Sequence, residues 1–315
     1  MIRGFTHSLA HCLKGRRRKV AALFFVSLAA GFGGAQLALS AAPGDGLLTG
    51  SVEPPALLQQ AAPCEIRTAA APRGEERLYL AARLREGGGL IGRPVAWTVL
   101  AVDEVSGRVG RKVHSSEQAQ AQVALPAGQY EVRARYGYRL ARQRITVEEG
   151  RSVSAVFILD VGGVRAISLL DGLGPAIGVR VEHRFYAASG RGRSRLVATS
   201  RGQGELLRLG KGDYRVESRF IPGNARAETS VRIKPGVLSS LEIRAHAALV
   251  RVEAETGRKR WQLRDAGGAW KFSGSGGQNL VLAPGEYVLA VEEAGKRSLR
   301  RFHVSAGESR ELRVH

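Results

Sequence analysis

The sequence predicts an all-β fold: three tandem Greek-key β-sandwich modules after an N-terminal membrane helix and a Pro/Ala-rich linker. Three observations predict it. One phrase occurs three times, as Leu125-Pro-Ala-Gly128-Gln-Tyr130-Glu-Val132, Leu209-Gly-Lys-Gly212-Asp-Tyr214-Arg-Val216 and Leu282-Ala-Pro-Gly285-Glu-Tyr287-Val-Leu289, so the chain is an internal triplicate. Apolar residues alternate with period two, as in Val250, Val252 and Ala254 against Arg251, Glu253 and Glu255, which is the pattern of a half-buried strand. Turn residues return every 8 to 12 residues or so, as in sandwiches and barrels.

The N-terminal elements come first. Residues 1–19 carry six Lys and Arg and no acid, and 20–42 carry no charge. A run of that length is that of a spanning helix of about 20 residues rather than a secretory core of about 7 to 15. The expected product is a single-pass protein of the inner (cytoplasmic) membrane with a basic cytoplasmic N-terminus and extracytoplasmic modules. Ala38-Leu39-Ser40 and Ser40-Ala41-Ala42 keep open the alternative of secretion after cleavage. Residues 43–74, with five of the eleven prolines, are expected to form a linker. The two cysteines, Cys12 and Cys64, fall on opposite sides of the proposed membrane and cannot staple one domain. Cys64 is expected to be an inert linker thiol, with an interchain bridge and homodimer as the alternative.

The modules are expected at 75–161, 162–246 and 247–315. In each, Gly128, Gly212 or Gly285 permits a tight turn. Tyr130, Tyr214 or Tyr287, two residues on, then starts a strand, with its ring buried and its hydroxyl capping nearby backbone. A second turn glycine follows at Gly150, Gly236 and Gly307, and then a closing strand. This succession resembles bacterial envelope repeats of the transthyretin-like, carboxypeptidase-regulatory-like or PEGA type over residues 75–315. The middle copy departs from it, with Gly210 and Lys211 in place of Pro126 and Ala127. The resemblance implies seven-strand sandwiches that serve as interaction modules, with no catalytic residues to carry over.

The search for chemistry points the same way. Gly87-Gly88-Gly89-Leu90-Ile91-Gly92 satisfies Gly-x-Gly-x-x-Gly, but Pro94 to Val99 reads as a strand where a dinucleotide site needs a helix N-terminus. The seven histidines have no spacing that closes a metal shell, and His183 falls on the apolar side of its strand, as a core histidine. The acidic doublets lie at strand ends and turns, and no activated Ser or Cys is evident. The sequence therefore predicts no catalytic residue, no metal and no cofactor.

Charge is the more informative signal. The formal net charge is +20, from 48 Lys and Arg against 28 Asp and Glu. Thirteen bases face ten acids in 75–161, fifteen face seven in 162–246, and twelve face eight in 247–315, so the middle module holds the largest excess. Within it Arg191, Arg193 and Arg195 read as a basic hairpin tip. In the first module Arg133, Arg135, Tyr138, Arg142 and Arg144 read as a hairpin turning at Gly137-Tyr138, with Arg133 opposite Arg142 and Glu131 opposite Arg144. Like charges so opposed repel by a few tenths of a kcal/mol, which a bound anion relieves. These eight residues are the candidate partner site. The expected partner is an envelope protein or acidic glycan. The alternative is an exported protein that binds a polysaccharide or nucleic acid. Nucleic acid is the less favoured of these because Trp97, Trp261 and Trp270 are needed in the cores and leave no stacking platform.

Overall fold

The computed structural model describes residues 63–314 apart from 190–192, 255–259 and 294–295. The basic segment, the apolar segment, most of the linker, Cys12 and Arg191 lie outside the described residues. Among the described residues no helix is long and apolar enough to cross a membrane.

The regular elements form three sandwiches. The first contains β1 (Cys64–Ala70), β2 (Arg77–Arg83), β3 (Ala96–Val102), β4 (Val109–Ser116), β5 (Ala121–Ala124), β6 (Gly128–Tyr136), β7 (Arg139–Val147) and β8 (Arg151–Ile158). The second contains β9 (Val161–Leu170), β10 (Gly174–Pro175), β11 (Arg180–Ser189), β12 (Arg193–Ser200), β13 (Leu207–Gly210), β14 (Gly212–Ile221), β15 (Arg226–Ile233) and β16 (Leu238–Ala245). The third contains β17 (Ala248–Ala254), β18 (Arg260–Asp265), β19 (Lys271–Gly274), β20 (Gln278–Leu282), β21 (Gly285–Glu293), β22 (Lys296–Val304) and β23 (Ser309–Val314).

The sheets repeat. One sheet of each sandwich has the order β4-β3-β6-β7, β12-β11-β14-β15 or β19-β18-β21-β22. In the other, the opening strand lies between the closing strand and a short strand, as β8-β2-β5, β16-β9-β13 and β23-β17-β20. Opening and closing strands run parallel, so the chain must pass through the opposite sheet between them. The first sandwich has one strand more at this edge: β1 pairs antiparallel with β8 from Cys64↔Phe157 to Ala70↔Arg151. Residues 64–70 are therefore strand where the sequence predicts linker. The alternation there is weak because five of the seven residues are exposed.

Each sandwich has its own core, and one position defines it. Four residues after each phrase tyrosine the partner strand places Trp97, His183 or Trp261 opposite Ala134, Ser218 and Val291. The two indoles are buried, and each donates its Nε1–H to a carbonyl of the following loop, Gln118 or Gly276, at 3.0 Å. Trp97 packs edge-on against Phe157 at 5.5 Å. His183 replaces the indole with a buried polar set: Ser168 Oγ lies 3.0 Å from Nε2 and Ser200 Oγ 3.4 Å from Nδ1.

The phrase itself closes a turn. The Tyr130, Tyr214 and Tyr287 hydroxyls donate to the carbonyls four residues back, Pro126, Gly210 and Ala283, at 2.8, 2.9 and 2.8 Å. Gly128, Gly212 and Gly285 stand at φ +152, +147 and +151, a region closed to most side chains.

Consecutive sandwiches are joined in one way. The β6–β7 turn meets β13, where the Tyr138 N–H donates to Arg208 O at 2.9 Å. The β14–β15 turn meets β20, where the Asn224 and Ala225 N–H groups donate to Val281 O at 3.2 and 3.3 Å. Arg208 and Val281 are equivalent residues, each immediately before the leucine of its phrase. Both contacts need glycine at the tip. A Cβ on Gly137 would lie 2.7 Å from Arg208 O, and one on Gly223 2.1 Å from Val281 O. Asn224 adds a clamp, accepting from Ala283 N–H at 2.9 Å and donating to the Tyr287 hydroxyl at 2.8 Å.

Candidate anion-binding face

Strands β3, β4, β6 and β7 position the site. Inward residues Val132, Ala134, Ala141 and Ile145 anchor the two central hairpin strands in the first core, and strand alternation turns the intervening side chains outward. The register places Arg133 opposite Arg142, Glu131 opposite Arg144 and Arg135 opposite Leu140. The same rows continue into β3 and β4 as Thr98 and Ser115 beside Arg133, and Leu100 and Lys112 beside Glu131. Four arginines and a lysine thus share a face with one carboxylate.

That carboxylate is occupied. Glu131 is 5% exposed and accepts from Arg133 Nε at 2.7 Å. Arg144 Nη2 donates to Gly107 O at 2.8 Å. The Arg135, Arg142 and Lys112 side chains have neither hydrogen bond nor ion pair with a described residue, and they are the cations this face leaves for an external anion.

Two expectations about site residues need correction. Tyr138 does turn the hairpin, but its ring packs against the second core and its amide is held by Arg208. It belongs to the joint rather than to the outward face of the hairpin. Arg195 pairs with Ala187, an inward position, and its charge acts on the Tyr214 hydroxyl, so it does not extend from a solvated tip with Arg193. Arg193 opens β12 opposite Ser189.

The second sandwich, despite the largest charge excess, has arginines beside every carboxylate on the corresponding face. There Arg215 meets Glu228, Arg219 and Arg226 meet Glu217, Arg184 meets Glu182 and Arg232 meets Asp213. Arg215 also lies over the Tyr186 ring at 4.4 Å. Burial opposes ionisation of Glu217, but hydrogen bonds from Arg219 and Tyr186 and the Arg226 charge outweigh it and hold the carboxyl below its usual range. The third sandwich carries a basic row that sequence reading missed: Lys271, Arg264 and Arg301 lie in one register row, with Val288 between the arginines. Aligning the strands on Tyr287 would have found it.

Cys64 is half-buried against the first core. Burial, aided by the Glu65 charge, pushes its thiol up to about 12, which disfavours the thiolate at neutral pH. Ser168, His183 and Ser218 place hydroxyls around an imidazole, but all three are fully buried and offer a substrate no access. Among the described residues no group of three His, Cys, Asp or Glu could hold a metal ion.

No family model and no curated protein matches this chain. Among solved structures, the Bacillus anthracis TIE protein is 14% identical over 76% of this chain, with a TM-score of 0.24. The chain spans 50% of that protein's length. The minor pilin GBS52 of Streptococcus agalactiae is 13% identical over 54% of this chain and 95% of its own, with a TM-score of 0.30. The shaft pilin SpaA of Lactobacillus rhamnosus GG is 13% identical over 54% of this chain and 96% of its own, with a TM-score of 0.31.

Proposed function

We propose that this chain is a non-enzymatic extracytoplasmic interaction protein, held at the membrane by residues 20–42, that binds an acidic envelope partner through the outer face of its first sandwich. A single observation carries the reading: among the described residues the Arg135 and Arg142 side chains stand outward without a hydrogen bond or ion pair, in register rows whose carboxylate, Glu131, is already paired with Arg133. An anion that bridges them removes like-charge repulsion and makes charge-assisted hydrogen bonds, with little reorganisation because both arginines sit on paired strands. The joints hold the sandwiches in series, so this face is presented at a fixed place along the chain.

The test is a titration of the full chain with polyglutamate, a uronic-acid polysaccharide and single-stranded DNA at two salt concentrations. Binding of the acidic protein or glycan mimic, weakened about tenfold by Arg135→Ala with Arg142→Ala, supports the reading. Strong binding of DNA alone, with a steep salt dependence, would instead favour the nucleic-acid alternative. Binding unaffected by the double substitution would place the site elsewhere.

A further inference from the structure

Beside the basic face, where the first and second sandwiches meet, the surface contains an apolar hollow that the anion reading does not use. Its floor is Gly163, which lies in the register row Arg208, Gly163, Leu238 across β13, β9 and β16. A Cβ there would stand 3.0 Å from Leu238 Cδ1 and 3.1 Å from Leu206 Cδ1, so glycine lets these two leucines close in over the strand and form the apolar wall. The hollow has a volume of about 180 Å³ and is walled by Leu84, Tyr136, Leu206 and Leu238. It adjoins a shallower depression of about 370 Å³, floored by residues 88–92 and rimmed by Arg85 and Arg93.

Two properties select an occupant. The surroundings are apolar yet solvated: Leu90, Val237 and Leu238 are 46, 47 and 53% exposed, although soluble surfaces seldom cluster such residues without a use for them. The rim is cationic, and no carboxylate lines either space. Arg208 lies over Tyr136 at 5.1 Å. Arg135 and Arg208 line the next depression together with one carboxylate, Glu117, which makes the hollow continuous with the basic face.

We propose that the partner is an acidic protein segment carrying a large apolar side chain, which seats in the hollow against Leu84, Leu206 and Leu238 while flanking carboxylates meet Arg85, Arg93 and Arg208. This rests on anion binding by the basic face and names the class of partner. A uniformly charged glycan or nucleic-acid backbone has no group that desolvates the hollow, whereas a leucine or phenylalanine side chain does.

The experiment titrates the full chain with two labelled acidic peptides of equal length and charge, one with a central leucine and one with alanine there, alongside polyglutamate. The leucine peptide is expected to bind about tenfold more tightly than the alanine peptide. Leu238→Ser, at a half-exposed position, and Gly163→Ala, which pushes Leu206 and Leu238 from their places in the wall, should each abolish that advantage. Arg135→Ala with Arg142→Ala should weaken both peptides equally. Equal binding of the two peptides, or an advantage that survives both hollow variants, overturns the proposal while leaving the basic face intact. If neither peptide nor polyglutamate binds, the basic-face reading fails as well.

Discussion

His183 stands where the other two sandwiches have tryptophan, and the exchange has a pH consequence. Burial lowers its pKa from 6.5 to about 4, with the Gly202 carbonyl and Glu205 offsetting only part of the effect. The unfolded chain therefore takes up a proton between about pH 6.5 and 4 that the folded one refuses. Stability from this residue is complete above pH 6.5 and falls as pH drops towards 4, by up to about 3 kcal/mol. Denaturant titrations at pH 7 and 4.5 should show this loss in the native chain and a smaller one in His183→Gln; identical losses would mean that other groups dominate. The tyrosines give a second residue-scale prediction. Tyr214→Phe should cost about 1 kcal/mol for its single hydrogen bond to Gly210. Tyr287→Phe should cost more, because its hydroxyl also binds Asn224, and calorimetric melting temperatures should fall in that order. The tyrosine positions could be read from sequence because the phrase is contiguous and repeated. The Trp97, His183 and Trp261 equivalence could not, since it emerges only through cross-strand pairing to the distant residues Ala134, Ser218 and Val291.

At the scale of elements, hairpin tips serve as joints. The two-residue turn at Gly137-Tyr138 follows from the pattern around it, but nothing local states that the turn docks on Arg208. That contact depends on where the next sandwich begins. Replacing Gly137 and Gly223 by valine sets a Cβ against the backbone carbonyls of Arg208 and Val281, and forces φ +61 and φ +153 on a β-branched residue. Both variants should retain folded sandwiches and loosen the joints, read as a broader distance distribution in small-angle scattering. An unchanged profile would show that the tips are not what fixes the joints. β1 offers the opposite lesson. Too exposed to show alternation, it is held by backbone pairing to β8 rather than by burial, so sequence periodicity had little to register.

For the whole molecule, what matters is which charges are already satisfied. Summed by segment, the sequence assigns the strongest basic character to residues 162–246, yet pairing across β11, β14 and β15 sets each outward carboxylate beside an arginine. The first sandwich has the smaller excess and the freer cations. Charge counts miss this because register, not composition, determines who neighbours whom. The most direct measurement compares two double variants that remove the same net charge, Arg135→Ala with Arg142→Ala and Arg215→Ala with Arg232→Ala, by titration calorimetry of the full chain with polyglutamate. The account predicts about a tenfold loss of affinity for the first pair and less than about a twofold change for the second. Equal losses in both would show that net charge alone attracts the partner and would contradict a site on the first sandwich.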